Sequence, residues 1–190
     1  DLLEGAYLIS YSPVNFRGSK QDSILIHSSD SSGMGIHVIN AGNNNTHDTN
    51  AINNTNGTNS TPALKKNIGV ASTCAFTSFK NLKSLTAGNW NLPSAVTFYH
   101  SPVKIVSCSF TGMVSEDALN LFDSKFSFIN STINHCSSDA LDVDFSDGTI
   151  LGSSFYEVGN DAVDVSGGKI RIKNSTFNGM LDNAVSAGEV

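Results

Sequence analysis

The chain has 190 residues, of which 39% are hydrophobic and 15% are charged, so it is long and apolar enough to pack one domain and is not a disordered chain overall. A net charge of −6 argues against a nucleic-acid-binding surface, and no apolar run approaches the roughly 18 residues of a membrane span. Ser, Thr, Asn, Val, Ile and Phe outweigh the helix formers, which favours strands and turns.

The first forty residues contain short apolar stretches with the length of strands. These stretches are Phe16, Ile24 to Ile26 and Ile36 to Ile39. We predict that they are the strands of a first coil or two of a repeated structure.

Two segments interrupt the strand pattern. Residues 40–62 hold nine Asn and only one large apolar side chain, Ile52, so this stretch cannot bury enough surface to order itself. We predict an Asn-rich mobile loop at 40–67. A smaller loop is predicted at 81–92, where extra residues separate two strand-like segments.

The second half of the chain repeats itself every 22 residues. One column of the repeat is occupied by Asp117, Asp139, Asp161 and Asn183. Apolar positions move with the same step in three further columns: Leu119, Leu141 and Val163; Phe126, Gly148 and Ile170; and Ile133, Phe155 and Phe177. Three separate apolar columns predict three short strands in each repeat.

The repeat extends upstream with one residue added, because residues 94–99 match 117–122 and residues 102–107 match the segment that begins at Lys125. A period of 22 also lies in the leucine-rich repeat range, but the Leu skeleton of that fold is absent. We therefore predict a single all-β domain over residues 1–190, a right-handed parallel β-helix of six to seven coils stacked about 4.8 Å apart.

The chain also resembles a known group of proteins. The motifs that carry the resemblance are "SPVNFRG", "ILIHSSDSSGMG", "AVTFYHSPV", "SEDALN", "SDALDVDF", "GNDAVDVSG" and "AVSAGE". They are similar to the right-handed parallel β-helix region of bacterial surface proteins that also carry a spore-coat-type (CotH-like) kinase domain, within the pectin-lyase-like superfold. This resemblance implies an extracellular or cell-surface location and assigns no catalytic residue.

Carboxylates are concentrated on one predicted strand face. Strand alternation points Asp142, Asp144 and Asp164 outward, and Asp164 lies one repeat from Asp142, where like charges repel. These three could hold a hard cation such as Ca²⁺, or they could form a solvated acidic face. In the column of Asp117, Asp139 and Asp161, each carboxylate could instead accept backbone N–H bonds in a turn.

The same face allows an enzymatic alternative. Carboxyl groups one or two coils apart approach the separations used by glycoside hydrolases, so Asp139, Asp142, Asp161 and Asp164 are candidate catalytic residues of a polysaccharide hydrolase or lyase. The Gly-His-Gly motif of polygalacturonases is missing. We therefore favour a non-catalytic structural or binding module that takes Ca²⁺ or glycan on its acidic face.

Two further expectations concern cysteines and assembly. Cys74 and Cys108 are predicted to share a column, as a disulfide or as buried free thiols, and Cys136 is predicted to be a core residue. The segment up to Val190 shows no amphipathic cap, so end-to-end self-association is a candidate property.

Overall fold

A computed structural model describes residues 1–41 and 70–188. Within those ranges the chain is all-β and contains no helix, and hence none that is long and apolar enough to cross a membrane. The predicted loop at 40–67 lies outside the described residues except for its first two positions. The strands are β1 Leu8–Ser10, β2 Asn15–Arg17, β3 Ile24–His27, β4 Ile36–Ile39, β5 Ser72–Ala75, β6 Thr77–Lys80, β7 Leu85–Ala87, β8 Trp90–Leu92, β9 Ser94–Tyr99, β10 Val103–Val106, β11 Ser109–Thr111, β12 Asp117–Phe122, β13 Lys125–Ile129, β14 Thr132–Cys136, β15 Asp139–Leu151, β16 Ser154–Val158, β17 Val163–Lys173, β18 Thr176–Met180 and β19 Ser186–Ala187.

Nearly all strand pairing is parallel. One sheet contains eleven strands and a second contains six, in the order β18-β16-β14-β11-β6-β3. The long strand β15 joins two parts of the larger sheet, since its first half pairs with β12 and its second half pairs with β13. The single antiparallel pair of the described strands is the hairpin β7–β8, which occupies most of the predicted smaller loop at 81–92.

The predicted repeat columns are confirmed by the strand register. Leu119 is the partner of Leu141, which in turn is the partner of Val163. The columns Phe126–Gly148–Ile170, Ile133–Phe155–Phe177 and Cys136–Val158–Met180 pair in the same way. Residues 22 positions apart are therefore direct neighbours on adjacent parallel strands.

Many of the strand-to-strand corners contain a residue with positive φ. In the later repeats these residues recur in three columns, with a first step of 23 residues and later steps of 22. The columns are His100, Asp123, Phe145 and Gly167; Ser107, Asn130, Gly152 and Asn174; and Gly112, His135, Glu157 and Gly179. A single left-handed residue turns the chain sharply, which explains how three short strands fit into one repeat.

Serine hydroxyls tie successive corners together. The Ser124 hydroxyl accepts the backbone N–H of Ser101 at 2.8 Å, and the Ser146 hydroxyl accepts that of Ser124 at 2.8 Å. At a second corner, the Ser131 hydroxyl accepts the backbone N–H of Cys108, and the Ser153 hydroxyl accepts that of Ser131. These buried bonds satisfy N–H groups that the turn removes from the sheet ladders.

Phenylalanine side chains fill the space between the sheets. Phe79 stacks on Phe110 with ring centroids 4.8 Å apart, and Phe155 stacks on Phe177 at 5.2 Å. Phe128 lies between them, 6.1 Å from Phe110, and is fully buried. The core therefore runs continuously across the repeats.

The predicted alignment of Cys74 with Cys108 is wrong. Cys74 is instead paired with Ile105, and the next strand aligns Phe79 with Phe110. This register keeps the large apolar side chains on the inner face, which alternation of two residues requires. Cys74, Cys108 and Cys136 are all buried free thiols, and burial raises the pKa of Cys136 to about 11, so Cys136 is a core residue as predicted.

Candidate functional site on the acidic strand face

Six aspartates lie together on three adjacent strands or just before them, and we call this surface the acidic face. Its members are Asp117, Asp139, Asp142, Asp144, Asp161 and Asp164. Asp142 is the direct register partner of Asp164, as predicted, and Asp144 follows two positions along the same strand. The sequence repeat therefore brings the three candidate cation ligands to one region of the surface.

Asp139 and Asp161 have a structural role in the corner before each strand. The Asp139 carboxylate accepts the backbone N–H of Asp161 at 2.9 Å, and the Asp161 carboxylate accepts that of Asn183 at 2.7 Å. This is the turn bonding that the sequence suggested for the column. Each carboxylate thus links two successive repeats and has one oxygen engaged by the backbone.

Asp117 belongs to the same column, but the turn bond predicted for its carboxylate is wrong. The N–H of Asp139 donates to the carbonyl of Glu116 instead, at 2.8 Å. The Asp117 residue is only 4% exposed, and its carboxylate has no hydrogen bond to any residue that the structure describes. Burial, followed by the charges of Asp142 and Glu116, raises the pKa of Asp117 to about 8.

Asn120 connects two of the outward carboxylates. Its side-chain amide donates to Asp142 Oδ2 at 2.7 Å and to Asp144 Oδ2 at 3.2 Å. Burial and the neighbouring charge of Asp144 raise the pKa of Asp142, and the Asn120 bond opposes this rise. Sequence reasoning missed Asn120, although the 22-residue step from Asp142 would have pointed to it.

The column of Asn120 continues upstream as buried polar side chains. Thr97 is the register partner of Asn120 and of His37. His37 Nδ1 and Thr97 Oγ1 are 2.9 Å apart, and His37 Nε2 lies 2.8 Å from the carbonyl oxygen of Met34. Burial lowers the pKa of His37, and this histidine is a hydrogen-bonded core residue.

No positive charge is paired with the acidic face among residues 1–41 and 70–188. The ion pairs in those ranges are His27–Asp1 at 3.8 Å, His100–Asp123 at 2.8 Å and His135–Glu157. None of them involves a member of the acidic face. Its repulsion is therefore relieved by backbone bonds, by Asn120 and by protonation.

The carboxylates of the acidic face do not form a preformed metal-binding site. In the described part of the chain, no group of three or more His, Cys, Asp or Glu side chains is arranged to hold a metal ion. Asp142, Asp144 and Asp164 would have to rotate toward one another to share a cation.

No protein-family profile matches the chain, and no curated protein is significantly similar to it.

Proposed function

We propose that this chain is a right-handed parallel β-helix and that it serves as a structural or binding module rather than as an enzyme. Three observations support the fold: the parallel register of 22 residues, the three columns of left-handed corner residues and the serine bonds between corners. A crystal structure in which β12, β13 and β14 follow one another around one axis with right-handed sense tests this fold, and a left-handed or open arrangement would contradict it.

The proposed ligand of the acidic face is a divalent cation such as Ca²⁺, bound by Asp142, Asp144 and Asp164. The single observation that carries this proposal is the register of β15 and β17, which places Asp142 beside Asp164 with Asp144 two positions along the same strand. No Lys, Arg or His forms an ion pair with these carboxylates among the described residues. Ca²⁺ accepts carboxylate oxygens in irregular geometry and would neutralise the charge of these half-buried carboxylates.

Thermal melting with Ca²⁺ and with chelator tests the proposed site. A ligand present at 100 times its dissociation constant stabilises the folded state by about 2.7 kcal/mol, so Ca²⁺ should raise the melting temperature by several degrees. Asp164→Asn should abolish this response, whereas Asp22→Asn, in an exposed turn, should retain it. An unchanged melting temperature of the natural chain in millimolar Ca²⁺ would remove the cation from the proposal.

The enzymatic alternative uses Asp139, Asp142, Asp161 and Asp164. Two of these four, Asp139 and Asp161, each have an oxygen bonded to a backbone N–H, which favours a structural role for them. The raised pKa of Asp142 is a property that a general acid would need. Release of reducing ends or unsaturated sugars from a polysaccharide, lost in Asp142→Asn, would favour the enzyme over the binding module.

Location and assembly are proposed on narrower grounds. An extracellular or cell-surface location follows from the resemblance to bacterial surface β-helices, and cell fractionation tests it.

End-to-end association is proposed because β18 pairs on one side only among the described strands and Leu181 beside it is 84% exposed. Sedimentation of a strict monomer at all concentrations would contradict it.

A further inference from the structure

Positive charge is segregated onto the neighbouring part of the same sheet. We call the surface formed by residues 103–106, 125–129, 147–151 and 169–173 the basic face, because these four segments pair side by side. The segments hold five Lys or Arg and a single acid, Asp147. The five are Lys104, Lys125, Lys169, Arg171 and Lys173.

An open groove of about 500 Å³ crosses the basic face. Lys125, Asp147 and Lys169 form one column of its lining, and Thr149 and Arg171 form the next. The Asp147 carboxylate accepts the backbone N–H of Lys169 at 2.9 Å. None of the three cations of the groove has an ion-pair partner in the described ranges, since every ion pair there involves histidine.

We propose that this groove binds an acidic sugar, that is, a carboxylate- or sulfate-bearing segment of a polysaccharide. The cations supply charge-assisted donors for the anionic group, and Arg171 offers a planar fork suited to a carboxylate. Asp147 and Thr149 supply acceptors for sugar hydroxyls, which a bare inorganic anion does not need. The volume lies in the range of ordinary small-ligand sites.

The surrounding charge and chemistry exclude other classes of partner. The basic face lies around a corner of β15 and β17 from Asp142 and Asp164. A groove of this size with three cations on a chain of net charge −6 is too limited for the many phosphate contacts of nucleic acid. Its lining has no exposed aromatic anchor of the kind that protein partners use.

Calorimetric titration without added Ca²⁺ tests the groove independently of the proposed cation site. The probe is a tetramer of mannuronic acid, and its carboxyl-reduced, neutral form is the ligand control. Arg171→Gln should weaken binding of the acidic tetramer about tenfold, the effect expected for one lost charge-assisted contact. Lys173→Gln removes the same charge from the same strand outside the groove and should change affinity less than about twofold.

Three outcomes would contradict the proposed binding of an acidic sugar in this groove. Absence of binding at about 1 mM probe would overturn the proposal, because millimolar affinity is the weakest that it can accommodate. Equal losses in Arg171→Gln and Lys173→Gln would show diffuse charge attraction instead of a groove. Equal affinity for the neutral tetramer, for inorganic sulfate or for single-stranded DNA of matched charge would also contradict recognition of an acidic sugar.

Discussion

Replacing Asp117 by Asn should make the protein more stable in alkaline solution and should have little effect in acid. The Asp117 side chain is buried, and its pKa is raised from 3.8 to about 8 by burial and by the neighbouring carboxylates. An unfolded chain releases this proton near pH 4, whereas the folded chain keeps it until about pH 8. The folded state therefore loses stability as the pH rises through this window.

The size of this loss in folding free energy follows from the same two pKa values. A tenfold change in proton affinity corresponds to about 1.4 kcal/mol, so a pKa moved from 3.8 to about 8 gives an upper limit of roughly 6 kcal/mol. Side-chain relaxation and water entry reduce this figure, and we expect Asp117→Asn to be about 2 to 4 kcal/mol more stable than the natural chain at pH 8.5. Asn183 already occupies the equivalent position of a later repeat, so the amide fits this column.

Urea denaturation at pH 5 and pH 8.5, in the presence of chelator, measures the effect. Asp22→Asn, which removes one acid from an exposed turn, is the matched control and should be neutral at both pH values. If Asp117→Asn gave the same change in unfolding free energy at both pH values, the burial argument would be refuted. A destabilised variant at pH 8.5 would show that the Asp117 carboxylate has a stabilising partner.

Two packing predictions can be checked by the same denaturation assay. Ser124→Ala should lower the free energy of unfolding by about 1 to 3 kcal/mol, because it leaves a buried backbone N–H of the preceding repeat without an acceptor. The control, Ser127→Ala on the outer side of the adjacent strand, should lower it by under about 0.5 kcal/mol. Equal losses in the two variants would argue against the corner bonds. Gly148→Ala should cost about 1 to 3 kcal/mol, because a Cβ there would lie 2.4 Å from the Phe126 ring. Phe126→Leu in the same chain should recover part of this loss, and a purely additive loss would contradict the clash.

The sequence predicted the register because the repeat has a fixed period and an apolar alternation. Side chains such as Leu119, Leu141 and Val163 can be aligned by counting, and a one-residue slip would expose them all. Where insertions break the period, counting fails. The pairing of Cys74 with Ile105 depends on which alternation buries Phe79, and that cannot be read from a local match between two cysteine motifs.

The candidate site was predictable only in part, for a related reason. Strand alternation identifies which aspartates face outward, so Asp142 and Asp164 could be placed together. Their environments are set by hydrogen bonds that cross repeats. Asp139 is bonded to the next repeat and Asp117 is not, although both precede Ala in the same motif. That difference arises from the backbone path between strands, which residue type does not specify.

Stacked repeats place equivalent side chains about 4.8 Å apart, where two like charges repel by roughly 3 to 4 kcal/mol at an effective dielectric near 20. On the basic face the column Lys125–Asp147–Lys169 alternates in sign, so no like charges are adjacent in it, although a net positive charge remains. On the acidic face Asp142 and Asp164 follow each other without alternation. The acidic column therefore needs a proton or a cation to relieve its repulsion, and we expect Ca²⁺ to change the stability of the chain through that face.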